Sequence, residues 1–155
     1  MTPRLQDEIK QTKPFRSVEE EAALSIARTS AVLDHAVAEV LKPHGITPTQ
    51  YNALRILRGA GGEGLCRNEV RDRLVAQVPD ATRLLDRLEQ MGLIVRAREG
   101  TDRRYVRNRI TPAGLDLVER VGDTLLQTLS RRLGHMGPER LRTLIELLAE
   151  ARRMD

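Results

Sequence analysis

The spacing of apolar residues changes period once along this chain, and that change constrains the fold more than any other feature. In "PDATRLLDRLEQMG", Ala81, Leu84, Leu85, Leu88 and Met91 recur at helical intervals. From Leu93 onward the period drops to two. In "LIVRAR", Leu93, Val95 and Ala97 alternate with Ile94, Arg96 and Arg98; in "RYVRNRI", Val106 and Ile110 share a side opposite Tyr105, Arg107 and Arg109. Each strand is therefore expected to have an apolar and a basic face. "EGTD" between them suits a hairpin tip, since Gly100 tolerates positive φ and Asp102 can bond its own backbone. A short helix, "RNEVRDRL", lies only a few residues before the first periodic segment, which is the spacing of a helix-turn-helix.

Helices flank this unit. Val18 to Leu41 keeps helical spacing through Leu24, Ile26, Ala27, Ala31, Val37, Val40 and Leu41, and Pro43 with Gly45 stops it. In "ITPTQYNALRILRGAGGEG", Thr47 caps, Pro48 takes the first turn, Gln50 completes a capping box and the glycine run ends the helix, with Tyr51, Leu54 and Leu57 on its buried face. After the hairpin, Thr111 caps and Pro112 opens a long helix carrying Leu115, Val118, Val121, Leu125 and Leu129. A last helix runs from about Pro138 to Arg153. The expected fold is mainly α with a small β-wing: a winged helix-turn-helix over 47–111, between helices 18–42 and 112–153, in one chain unit of 1–155. The terminal helices are too apolar for a small domain to cover alone, so they are expected to pair two copies into a homodimer.

Charge narrows the partner. The chain carries 26 basic and 22 acidic residues, and the whole excess of +4 lies in residues 96–109, where six arginines face only Glu99 and Asp102. A field so concentrated suits a polyanion such as nucleic acid. The arginines also fit bidentate phosphate contact or a narrow minor groove better than the few charges that protect an edge strand. On the preceding helix, burial of Ala81, Leu84, Leu85 and Leu88 leaves Pro79, Asp80, Thr82, Arg83, Asp86 and Arg87 outward. Arg83 and Arg87 can reach guanine or flanking phosphates, Thr82 bases or phosphate, and Asp80 a cytosine amine. The plainer alternative is a solvated Arg/Asp face.

Other functions are poorly served. Cys66 is the only cysteine, so no intramolecular disulfide can form; it reads as a small buried residue in a cytoplasmic protein. No segment reaches the roughly 18 apolar residues of a membrane span. His35, His44 and His135 lack metal-ligand spacing with Cys66, and GAGGEG lacks the flanking strand and helix of a phosphate loop. No enzyme activity, cofactor or metal is expected.

The stretches "ITPTQYNALRIL", "PDATRLLDRLEQMGLIVR" and "DRRYVRNRITPAG", in this order and spacing, resemble the multiple-antibiotic-resistance regulator (MarR) family of bacterial winged-helix repressors. The resemblance implies a homodimer on a palindromic DNA operator, with the recognition helix in the major groove and the wing in the adjoining minor groove. By motif position it makes Arg104 the wing-tip arginine, Asp102 the acid that braces the wing, and Thr82 and Arg83 the matching pair of the recognition helix; with the outward positions of that helix and its approach, the DNA-binding candidates are Gln77, Pro79, Asp80, Thr82, Arg83, Arg87, Arg103 and Arg104. Gln77 in place of a serine cap, Asp80 in place of Thr or Ser, and Val75 in place of Gly prevent any operator sequence from being carried over. Family members respond to small phenolic or amphipathic effectors near the dimer and DNA-binding junction. Arg28, His35, Tyr51 and Arg55 are the ligand-binding candidates here, although each also has an ordinary reading as an ion-paired, core or surface side chain. A second reading keeps the fold but makes it a protein-interaction or architectural module without an operator.

Overall fold

The computed structural model describes residues 4–98 and 105–153, which fall into two compact units, Met1–Ala36 and Val37–Asp155. The first unit holds α1 (Leu5–Glu8) and most of α2 (Val18–Leu41). Ser17 starts α2: its hydroxyl accepts from the Glu20 N–H at 3.1 Å, and the Glu20 carboxylate accepts from the Arg16 N–H at 2.6 Å. Glu19, Glu20 and Glu21 lie in the first turn, where the helix dipole favours negative charge.

The second unit takes the end of α2, a 3-10 turn at Lys42–His44, α3 (Pro48–Ala60), α4 (Arg67–Arg73), α5 (Thr82–Gln90), β1 (Ile94–Arg98), β2 (Val106–Ile110), α6 (Pro112–Leu133) and α7 (Pro138–Ala151). This is the expected order, and the winged helix-turn-helix is present. The capping box of α3 forms as the sequence indicates: Gln50 N–H donates to Thr47 Oγ1 at 3.2 Å and Thr47 N–H to Gln50 Oε1 at 3.0 Å. Helix α5 starts at Thr82, later than the apolar periodicity suggests, because residues 75–81 form the turn.

One core joins these elements except α7, built from Leu41, Ile46, Leu54, Leu57, Val70, Leu85, Leu88, Ile94, Val118 and Val121 with their neighbours. Leu and Val dominate it, which suits a chain with only 2% aromatic residues. Helix α6 meets the hairpin where Thr111 accepts from the Gly114 N–H at 3.1 Å and donates its hydroxyl to the Gly92 carbonyl at 2.7 Å. Gly114 is required by this contact, since a Cβ there would strike the Leu93 carbonyl and come within 2.7 Å of Ile110.

Beyond Leu125 the picture changes. No residue of α7 is buried, although Leu141, Leu144, Ile145, Leu147 and Leu148 repeat along it; Leu126 on α6 is exposed as well.

Candidate nucleic-acid interface

The helix-turn-helix is held by side chains that bond across it. Asn52 of α3 accepts the Val75 N–H at 2.9 Å, satisfying a backbone donor in the turn after α4. At the start of α5, Asp80 Oδ1 accepts from both the Thr82 N–H (2.9 Å) and its hydroxyl (2.6 Å), and Arg67 of α4 donates to Thr82 Oγ1 at 3.1 Å. The Thr82 hydroxyl and backbone bonds, with Arg67 and Arg71 nearby, hold the Asp80 carboxyl below its ordinary value. Asp80 thus caps the recognition helix, and the Thr82 hydroxyl proton is committed to it. Arg83 and Arg87 are exposed on α5 outside buried Leu85 and Leu88, and Gln77 and Pro79 are exposed in the turn before it.

The N-terminus of α4 has its own capping box. The Cys66 side chain accepts from the Glu69 N–H, and Glu69 Oε2 accepts the Cys66 N–H at 2.8 Å. Those bonds, with Arg107 and Arg73 nearby, lower the Glu69 pKa. Cys66, expected as a small buried residue, is half-buried in this cap, at the point where the chain enters α4.

Strands β1 and β2 pair antiparallel, with Ile94 opposite Ile110, Arg96 opposite Asn108 and Arg98 opposite Val106. The expected faces hold for β2 and reverse for β1. Ile94 is 2% exposed while Val95 is 50% exposed, so Ile94 and Arg96 turn toward the domain. On that side Ile94 joins the core opposite Ile110, and Arg96 forms an ion pair: Arg96 Nη1 lies 2.7 Å from Asp86 Oδ1, and Arg96 Nε 4.0 Å from Glu89 Oε2, both carboxylates being on α5. Beside it, Asn108 is 2% exposed, exchanges backbone bonds with Leu65 and donates its side-chain amide to the Leu65 carbonyl at 3.0 Å.

Arg107 and Arg109 turn to the protein rather than only to solvent. Arg109 Nε donates to the Gly62 carbonyl at 2.6 Å; Arg107 donates to the Gly64 carbonyl at 3.4 Å and lies 3.9 Å from Glu69. They fasten the glycine-rich loop to β2, and Gly64 is needed there because a Cβ would stand 2.5 Å from the Asn108 carbonyl. Between α4, α5 and the strands lies an open cleft of about 430 Å³, lined by residues that include Cys66, Arg67, Thr82, Arg96, Tyr105 and Asn108.

The wing-tip candidates Asp102, Arg103 and Arg104 lie outside the described residues. Of the ligand candidates, Arg28 and His35 are exposed on the part of α2 in the first unit. Tyr51 packs half-buried against the core of the second unit, where Arg55 is exposed on α3. Sequence reasoning did not single out Arg67, Asn52, Asn108 or the inward role of Arg96. For Arg96 a signal existed: two acids three residues apart on the preceding helix, Asp86 and Glu89, offer a strand arginine a fixed partner. Among the described residues no group of three His, Cys, Asp or Glu side chains is placed to hold a metal, and no helix is long and apolar enough to cross a membrane.

The chain is similar to known proteins. A model of the MarR family matches residues 44–104. The crystal structure of a MarR transcription factor from Planctomyces limnophilus is similar at 36% identity, over 88% of this chain and 98% of that one, with a TM-score of 0.68. The structure of NadR in complex with 4-hydroxyphenylacetate is 25% identical, over 92% of this chain and 100% of that one, with a TM-score of 0.71. The uncharacterized HTH-type transcriptional regulator YkoM of Bacillus subtilis is 27% identical, over 88% of this chain and 90% of its own length.

Proposed function

Since this chain belongs to the MarR family of winged-helix, DNA-binding transcription regulators, we propose that it is a homodimeric, ligand-responsive repressor of a palindromic operator. The observation that carries the reading is the outward pair Arg83 and Arg87 on a capped recognition helix, next to a hairpin that holds the whole excess positive charge of the chain. Arg83 and Arg87 meet base edges or phosphates in the major groove. Thr82, Asp80, Pro79 and Gln77 form the approach of that helix, with Asp80 and Thr82 acting first on each other. Arg103 and Arg104 enter the minor groove and Asp102 braces the wing. The region 47–111 does the reading, and helices 18–42 and 112–153 join two copies. The exposed apolar residues of α7 and of the end of α6 support that division, because a second copy would take them out of water.

A ligand represses or releases binding only through a different affinity for the DNA-competent and DNA-incompetent states. The NadR complex supports a phenolic carboxylate as the first effector to try, with Arg28, His35, Tyr51 and Arg55 as its contacts. The test begins with selection of bound duplexes from a random DNA pool by the full chain. The expected product is an inverted repeat whose half-sites lie about 10 bp apart, centre to centre, so that both helices meet one face of the duplex. Its affinity should fall steeply between about 50 and 200 mM salt, and 4-hydroxyphenylacetate should weaken it. Selection that enriches no sequence would instead support the protein-interaction or architectural reading.

A further inference from the structure

Arg96 is the feature that the reading above leaves unused. It belongs to the arginine-rich stretch that sequence reasoning turns toward DNA, yet its side chain is only 23% exposed and lies between β1 and α5. Its guanidinium reaches Asp86 at 2.7 Å and Glu89 at 4.0 Å, two acids nearly one turn apart on the side of the recognition helix that faces the hairpin. Its Nε is buried without a hydrogen-bond partner, so the charge has been taken largely out of water and depends on those carboxylates for compensation. Across the hairpin it stands opposite Asn108, the buried side chain that ties β2 to Leu65 ahead of α4. The ion pair to α5 and the tie to the entrance of α4 are thus made at neighbouring positions of the paired strands.

Helix α5 alone is electrically balanced, with Arg83 and Arg87 against Asp86 and Glu89. With both acids turned toward Arg96, only the two arginines remain to face an approaching duplex. The same pairing ties the helix to the hairpin at a point beyond its capped N-terminus, which fixes rotation as well as position.

We propose that Arg96 is a positioning residue for DNA reading: it does not touch DNA, and by holding Asp86 and Glu89 it sets the recognition helix against the wing so that both grooves are read together. This rests on the regulator reading above. The experiment uses the duplex selected by the wild-type chain and a random duplex of equal length, with Arg96→Gln, Asp86→Asn, the double variant and Arg96→Lys, each confirmed folded by its melting transition. Arg96→Gln should lower the ratio of selected to random affinity at least about tenfold, comparable to misreading one base pair. The slope of log affinity against log salt should not change, because no phosphate contact is removed. Partial unfolding would not mimic this, since it reduces active protein for both duplexes equally.

The double variant has the wild-type net charge but no clamp. It should be no worse than Arg96→Gln alone, and still short of wild type; Arg96→Lys should recover part of the ratio. A slope that falls by about one unit in Arg96→Gln would make Arg96 a phosphate contact and overturn the proposal, leaving the regulator reading intact. Additive losses in the double variant, or a full return to the wild-type ratio, would overturn it too. A wild-type chain that selects no duplex would overturn both.

Discussion

In α5, Leu85 and Leu88 are 1% and 0% exposed, whereas in α7 the helically spaced Leu141, Leu144 and Leu148 are only half-buried, and Ile145 and Leu147 are 64% and 58% exposed. Both helices are amphipathic by sequence, but they sit in different surroundings. Helix α5 has the core of its own unit beneath its apolar stripe and a set of polar ties around it, namely Asp80, Arg67 and Arg96. Helix α7 has an apolar stripe that its own chain covers only in part. One region is finished within a single chain, and the other leaves apolar side chains in water. If that contrast is physical, substitutions in the two regions should differ in kind as well as in size.

The largest effect is expected inside the finished region. Leu88→Ala should lower unfolding free energy by about 2–5 kcal/mol, because a fully buried side chain leaves a cavity as well as losing its transfer energy. Chemical denaturation measures it, and a loss below 1 kcal/mol would show that the core around α5 is looser than the burial indicates. Ile145→Glu with Leu147→Glu should leave the far-ultraviolet spectrum of the helix-turn-helix unit intact while halving the mass seen in sedimentation. Stability should also lose its dependence on protein concentration. A doubly substituted chain that still sediments as a dimer would break the comparison.

A middling effect is expected on the exposed face of α5. Arg83→Ala should weaken the selected duplex by about 1–3 kcal/mol and relax its sequence preference, with little change in melting temperature, since the side chain is exposed. An unchanged preference at every position would remove Arg83 from the reading surface.

The same contrast explains what was legible in advance. Helix ends announced themselves through local chemistry: the Thr47–Gln50 box, the Thr111 cap and the prolines after them are satisfied within four residues, so sequence alone exposes them. The two faces of β1 were not legible, because alternation says which residues share a side but not which side is inward. The inward side is the one where Ile94 joins the core and Arg96 meets Asp86 and Glu89, partners that lie on another element. For Arg107 and Arg109 the alternation gave a side but no partner, since the carbonyls of Gly64 and Gly62 that take their hydrogen bonds lie 43 and 47 residues away. Arg67 and Asn52 were missed because their partners lie 15 and 23 residues away. Candidate DNA contacts on α5 were easier to name, since an amphipathic helix of known buried face leaves few outward positions.

The smallest effect concerns acid, and it separates the two regions once more. Asp80 and Glu69 both cap helices of the reading unit and both have lowered pKa values, chiefly from hydrogen bonds to Thr82 and Cys66 respectively. A carboxyl that is harder to protonate when folded adds stability above its unfolded pKa, and that contribution is lost as pH falls through the lower, folded value. Between about pH 7 and the upper edge of the ordinary carboxylate range these two groups should leave stability unchanged; below it the helix-turn-helix should weaken. Asp80→Asn should therefore be less stable than wild type near neutrality and converge on it in acid, measured by denaturant titration at several pH values. A gap between the two proteins that stays constant down to about pH 3 would mean that the Asp80 charge does not contribute to the cap, and that Thr82 is oriented by Arg67 alone.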